Sequence, residues 1–199
     1  MKKDKNTGEV ADEMQVGETK VKETERDFEV DCEQDTCGYF MPPLPSRATR
    51  NVLKPSRNSS RGFLLLTFPS DDWPRVYTYE SILEKCFLIL MWLRADVQLI
   101  QDQPPLICYV DDNGKTRNHI FDFLVVRTSG ERVAVAIKPQ RRVEKLNFER
   151  ELELIADAMP KTFADRVLLV TDKDLDKNAA NQALRDLMFT NRKMIGGAK

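Results

Sequence analysis

A single histidine and the lack of any apolar run near the roughly 18 residues of a membrane helix are the first features of this 199-residue chain. One histidine leaves little with which to close a zinc site, although Cys32, Cys37, Cys86 and Cys108 are present. The N-terminal lysines are followed by no apolar stretch, so no secretory signal is read. The expectation is a cytoplasmic protein without a membrane partner, its cysteines free thiols in a reducing compartment. No internal repeat is present. Between Ser46 and Arg61 there is no acid at all.

The charges that are present are unevenly spread. Residues 1–40 hold 12 acids against 6 bases, a net of −6, so the remainder carries +5 against a whole-chain charge of −1. A mildly basic folded part behind an acidic tail suits a polyanionic partner. Residues 1–40 lack periodicity and are rich in Glu, Lys, Asp and Thr, which predicts disorder. Met41-Pro-Pro-Leu-Pro-Ser starts an extended linker. Arg47, Arg50, Lys54, Arg57 and Arg61 come next, with no apolar face between them. They read as a flexible basic arm of the kind that meets nucleic-acid phosphates.

A hydrophobic content of 41% can support one core. Phe63 to Phe68 is an apolar run stopped by Pro69, either an edge strand or a buried lead-in, and Asp71 to Val76 reads as a turn. A helix with a broad apolar face is predicted from Thr78 to about Arg94, although Ser81-Ile-Leu-Glu84 also fits a capping box one turn later. On that helix Glu80 and Glu84 would share a stripe. Asp96 to Ile100 is a short strand or extended turn. Leu106–Val110, Arg117–Arg127 and Arg132–Lys138 predict a three-stranded meander, with Asp111-Asp-Asn-Gly as the first turn. Val143 to Met159 is amphipathic, with Leu146, Leu152, Ile155 and Met159 on one side. Arg166 to Thr171 reads as a strand buried on both faces. Strand, helix and strand make a βαβ unit, so residues 132–171 should contain a parallel pair. A last helix is expected from about Asp176 to Phe189.

Two charges stand out in the meander. Asp122 lies inside the middle strand and Lys138 ends the last. Alternation puts Asp122 on the face opposite His119, Phe121 and Phe123, which makes His119 a packing residue. The turn at Thr128–Glu131 sets Asp122 opposite about Ile137, and a one-residue bulge would bring it beside Lys138. With a helix acid nearby, Glu80 or Glu84, the group suits phosphodiester hydrolysis. Carboxylates hold a hard divalent cation, the cation polarises the phosphate and activates water, and a lysine stabilises the developing charge.

The same residues resemble a known family. Arg61-Gly with Pro69-Ser, Tyr79-Glu-Ser-Ile-Leu-Glu84 with Phe87-Leu, Val97 with Gln103-Pro, His119-Ile-Phe-Asp-Phe-Leu-Val and Ile137-Lys-Pro are similar in order and spacing to the N-terminal nuclease domain of the TnsA-type transposon endonuclease subunit. The likeness covers about residues 60–140 and extends more weakly to Arg166–Asp174. It implies a restriction-endonuclease-like α/β fold, a mixed β-sheet flanked by helices. It makes Glu84 the helix glutamate of an acid–acid–lysine triad, with Glu80 as runner-up. Asp122 becomes the metal-binding aspartate, Lys138 the catalytic lysine and the Ile137 carbonyl a metal ligand. Phe121 stands where the family usually has Pro. Ala136 stands where the family has Glu or Gln, so one side-chain ligand is missing.

The expected division is a disordered acidic tail (1–45), a basic arm (46–62), an endonuclease-like domain (63–175) and a C-terminal helix and tail (176–199). Residues 176–199 leave no room for the second, winged-helix-like domain of larger relatives. The resemblance implies an endodeoxyribonuclease dependent on Mg2+ or Mn2+. It would nick double-stranded DNA at the 5′ transposon ends beside a DDE-type transposase subunit that supplies the choice of sequence. The competing expectations are a non-catalytic DNA- or transposase-binding module on a nuclease scaffold, favoured by Ala136, and a stand-alone resolvase or repair nuclease of the same superfamily.

Overall fold

A computed structural model describes residues 41–52 and 60–196, with side chains through Leu187. The expected disorder of residues 1–40, and Lys54 and Arg57 of the arm, lie outside the described residues.

The elements run β1 (Gly62–Leu66), β2 (Arg75–Tyr79), α1 (Ile82–Trp92), β3 (Val97–Asp102), β4 (Ile107–Val110), β5 (Thr116–His119), β6 (Phe123–Arg127), β7 (Arg132–Ile137), α2 (Gln140–Leu146), α3 (Phe148–Ala158), β8 (Arg166–Val170) and α4 (Lys177–Gly196). A four-stranded sheet has the order β3-β6-β7-β8. Its first two pairings are antiparallel and β7/β8 is parallel, so the predicted βαβ unit is present in a mixed sheet. Two hairpins, β1/β2 and β4/β5, stand as separate two-stranded sheets.

Both faces of the mixed sheet are buried. Phe123, Val125, Val133, Val135 and Ile137 belong to a cluster with Leu83, Phe87 and Leu88 of α1 and with Leu66 and Tyr77 of the β1/β2 hairpin. Phe87 stacks on Phe123 with ring centroids 5.4 Å apart, a pairing worth about 0.5–1.5 kcal/mol beyond the area it buries. On the other face Leu124, Ala134 and Ala136 join Val143, Phe148, Leu152 and Ile155 of α2 and α3. Period-2 alternation along β6 and β7 thus sends successive residues to opposite helix layers. A third cluster joins Cys86 and Ile89 of α1 to Ala180 and Ala183 of α4.

Several expectations are corrected. The stretch Arg75–Tyr79 is a strand, not the end of a turn and the start of a helix. It pairs with β1 over its full length, from Gly62↔Tyr79 to Leu66↔Arg75. Its β-branched and aromatic residues suit a pleated surface. The helix then begins one turn later, with Ser81 as N-cap, and Ile82 and Leu93 at its ends are exposed. The meander is absent, because Arg117–Arg127 is broken at Ile120–Asp122 and β4/β5 leaves the main sheet. That hairpin packs on α3, where the Tyr109 hydroxyl donates to Glu151 (2.6 Å). The predicted helix from Val143 is two helices meeting at Asn147, whose φ of 48° is left-handed, and Leu146 before it is exposed. Asparagine is among the few residues that adopt this conformation at low cost. β8 lies at the sheet edge with Arg166 and Leu168 exposed, rather than buried on both faces.

The arm is also not free where it is described. Leu44 bridges to Arg75, with Leu44 N–H donating to Pro74 O (2.8 Å) and Val76 N–H to Leu44 O (2.9 Å). Ser46 donates to the Asp102 carboxylate (2.6 Å), and Thr49 N–H to Gln103 O (3.0 Å). Asp71 ties the same region together. Its fully buried carboxylate accepts from Tyr77 Oη (2.6 Å) and Arg75 Nε (2.7 Å) and pairs with Arg47 (3.0 Å). Asp71→Ala should lower unfolding free energy by about 3 kcal/mol, because it leaves two guanidinium groups and a buried phenol without their acceptor. Urea denaturation of the full chain, read as a lower midpoint at unchanged slope, measures this.

Candidate functional site

Asp122 sits in the break between β5 and β6, where the chain passes from the hairpin into the main sheet. Three hydrogen bonds hold it. Asp122 N–H donates to Val135 O (2.9 Å), Gln103 N–H donates to Asp122 O (3.0 Å), and Ile137 N–H donates to the carboxylate at 2.6 Å. The carboxylate therefore rests on the backbone at the end of β7. The register is one residue shorter than alternation predicts, since Phe123 pairs with Val135. The break also reverses the facing of Phe121, which lies with Leu124 in the α2/α3 cluster instead of with Phe123.

Glu84 arrives from the start of α1. It is 5% exposed, and it is held by the local chain. Glu80 N–H donates to one carboxylate oxygen (2.7 Å) and Ser81 Oγ to the other (2.8 Å), while Glu84 N–H donates back to Ser81 Oγ (3.2 Å). This is a variant of the capping box, in which the N–H that Glu84 accepts belongs to Glu80 rather than to the N-cap Ser81, and its donors explain why an acid is tolerated so deep. Burial, followed by the neighbouring Glu84 charge, pushes the Asp122 carboxyl up to about 7 against the opposing pull of the Ile137 N–H and Lys138. Glu84 is likewise raised, first by burial. The Glu84 charge is thus felt at Asp122, as expected for acids near a shared site.

Glu80 is placed differently. It precedes the helix, so it shares no helical stripe with Glu84. Its side chain forms ion pairs with Arg50 and with Arg61 (2.7 Å for the latter). Both acids raise the Asp122 carboxyl, Glu84 more than Glu80.

Lys138 comes directly after β7, its N–H extending the parallel ladder to Val170 O (3.0 Å). Its Nζ lies 4.3 Å from the centroid of the Phe148 ring, rather than in an ion pair with Asp122 or Glu84. Its charge still lowers Asp122. The bulge that would have set Asp122 and Lys138 side by side is replaced by a carboxylate bond to the intervening Ile137 N–H. His119 packs edge-on against Phe121 (centroids 4.8 Å) and tilted on Phe148 (5.9 Å), in keeping with a packing residue. Burial, and then the Lys138 charge, push its imidazole down to about 4.

Ala136 is 1% exposed within the cluster that contains Phe121 and Phe148. The position where the resemblance expects a ligand is thus packed as core. Among the described residues no group of three or more His, Cys, Asp or Glu converges on a common point. The donors available to a cation are the Glu84 and Asp122 carboxylates, with the Ile137 carbonyl at the end of β7. Such a set fits Mg2+, which is bound through one or two carboxylates and keeps several waters. Two carboxylates with raised pKa values would also gain from a nearby cation.

Three further polar residues have buried roles that the sequence reading did not assign to them. Asp71 and Asp102 are buried tethers of the arm and of β2; Asp102 accepts from Ser46 Oγ and from Thr78 N–H (2.8 Å). Gln103 is 1% exposed with φ of 43°, a left-handed value rare for a non-glycine. No helix among the described residues is long and apolar enough to cross a membrane. In comparison with known proteins, the chain matches no family model and no curated protein sequence.

The site geometry leads to two expected outcomes. The single imidazole can be followed alone by NMR, and it should titrate near pH 4 rather than 6.5. Because the folded value is depressed, stability linked to His119 is present above about pH 6.5 and is lost as pH falls through about 4. His119→Gln should remove that part of the melting temperature's pH dependence. Ala136→Gln, by contrast, should destabilise the fold by about 1–3 kcal/mol through overpacking and burial of an amide, read by thermal melting.

Proposed function

We propose that this chain is a metal-dependent DNA endonuclease subunit of a heteromeric transposase, nicking double-stranded DNA at the 5′ transposon ends. The observation that carries the reading is the approach of Glu84, from a helix start, to Asp122, from a sheet break, within reach of the Lys138 charge. Asp122 is raised by burial and by the Glu84 charge, and a divalent cation would offset that repulsion. The resemblance of Tyr79–Glu84, His119–Val125 and Ile137-Lys138-Pro139 to the TnsA-type nuclease domain, and the mixed sheet with a parallel β7/β8 pair, are consistent with it.

In this reading Glu84, Asp122 and the Ile137 carbonyl would hold Mg2+ or Mn2+, and the cation would supply Lewis-acid polarisation of the phosphate and a more acidic bound water. The chain's own residues do the rest. The Ile137 N–H fixes one Asp122 oxygen, so the other would be the one open to a cation. The Ser81–Glu84 cap fixes the second carboxylate. Lys138, held as a cation over Phe148, supplies positive charge to the phosphate as negative charge develops on it. Sequence choice falls to a DDE-type transposase partner, which cuts and joins the other strand. A second reading, a non-catalytic DNA- or transposase-binding module, is favoured by the burial of Ala136 in the core.

The test is a nicking assay on DNA carrying transposon ends, with Mg2+ or Mn2+ and with a DDE-type transposase as partner. Wild type should nick, and Asp122→Ala and Lys138→Ala should each lower the rate by about 100-fold or more. Assembled wild-type complex that holds DNA without cutting it supports the second reading. Nicking unchanged in both variants overturns the site.

A further inference from the structure

We propose that Arg50 and Arg61, with the Gln103 carboxamide, form a binding site for a backbone phosphate of nucleic acid, and that Glu80 is its stand-in acceptor when no nucleic acid is bound. The location beside the cutting centre rests on the endonuclease reading; phosphate binding itself can be tested without it.

Both guanidinium groups converge on the one Glu80 carboxylate, which leaves this group with an excess positive charge. Arg50 is also gripped through its Nε, which donates to Gln103 Oε1 at 2.8 Å. Gln103 retains a buried side-chain donor, Nε2, with no hydrogen-bond partner, although the residue is only 1% exposed. A buried amide donor normally finds an acceptor, and an unmatched one costs on the order of 1–3 kcal/mol. Here it lies beside a guanidinium, where an anion would supply the acceptor.

The arrangement is also braced against the two site carboxylates. Glu80 offers its N–H to Glu84 and its side chain to the two arginines. Gln103 offers its N–H to the Asp122 carbonyl and its side-chain oxygen to Arg50. The residues that hold the arginines are therefore bonded directly to Glu84 and Asp122. The Arg50 and Arg61 side chains remain 43% and 28% exposed, so the group has an open side. Two forked donors suit the two non-bridging oxygens of a phosphodiester, which present the same acceptor pair as a carboxylate.

The experiment is fluorescence anisotropy of the full chain with labelled duplex DNA over a series of salt concentrations, in Ca2+ buffer, with thermal melting of each variant alongside. Arg50→Gln and Arg61→Gln should each weaken binding to unrelated sequences alike and reduce the salt slope by about 1. Arg50→Lys keeps the charge and should restore the slope. Glu80→Gln should tighten binding several-fold. Arginine variants that melt lower but bind DNA with unchanged affinity and slope overturn the proposal in favour of a purely structural clasp. Weaker binding by Glu80→Gln, or no DNA binding by wild type, overturns it too. Slope changes in a protein that never nicks leave the phosphate site standing while the endonuclease reading fails. Nicking by a wild type whose arginine variants bind DNA unchanged does the reverse.

Discussion

The hydrogen bonds around Asp122 are the constraint on which the site and much of the sheet depend. Within a few ångströms this residue takes the Gln103 N–H from the loop after β3, gives its own N–H to β7, and takes the Ile137 N–H on its carboxylate. A regular strand through Ile120–Asp122 would have kept β4, β5 and β6 in one meander. The break instead turns the β4/β5 hairpin out of the main sheet and sends Phe121 into the opposite core. It also leaves a carboxylate at the sheet end, next to Glu84, that rests on a backbone N–H and not on a basic side chain. The raised Asp122 carboxyl is the electrostatic consequence.

Burial of both faces of the sheet determines what the site can hold. β6 and β7 lie between α1 and the α2/α3 pair, and the alanines at 134 and 136 allow the second layer to pack closely. That packing uses the position at which a third ligand was expected. It also sets Phe148 beneath Lys138 and beside His119, so the lysine is oriented by a ring face and not by a salt bridge. The same close packing that stabilises the domain thus limits the carboxylates at its edge to two.

The arm shows how charge is redistributed on folding. Its bases read as free for phosphates, yet Arg47 pairs with Asp71, and Arg50 and Arg61 pair with Glu80. The arm is therefore part of the folded unit over its described residues. Its cations are neutralised to different degrees, Arg47 by a fully buried acid and Arg50 by a partly exposed one.

Local patterns determined a good deal from the sequence alone. Ser81–Glu84 caps a helix, Asp111–Gly114 closes a hairpin, and residues 132–171 contain a parallel pair, because each rests on neighbours a few residues apart or on one buried crossover. Asp122 and Lys138 could be singled out because charge is costly among apolar residues, with Glu80 or Glu84 as the nearby helix acid. Tertiary structure decided the rest. β2 exists because β1 pairs with it and Asp71 holds its start; the helix over 140–158 divides because Asn147 turns left-handed and buries Phe148. The break at Asp122, the pairing of Glu80 with Arg50 and Arg61, and the turn of Lys138 toward Phe148 all rest on partners far away in the chain. No local propensity encodes a hydrogen bond from Gln103 to Asp122 or an ion pair from Arg50 to Glu80, and those bonds decide which charges meet.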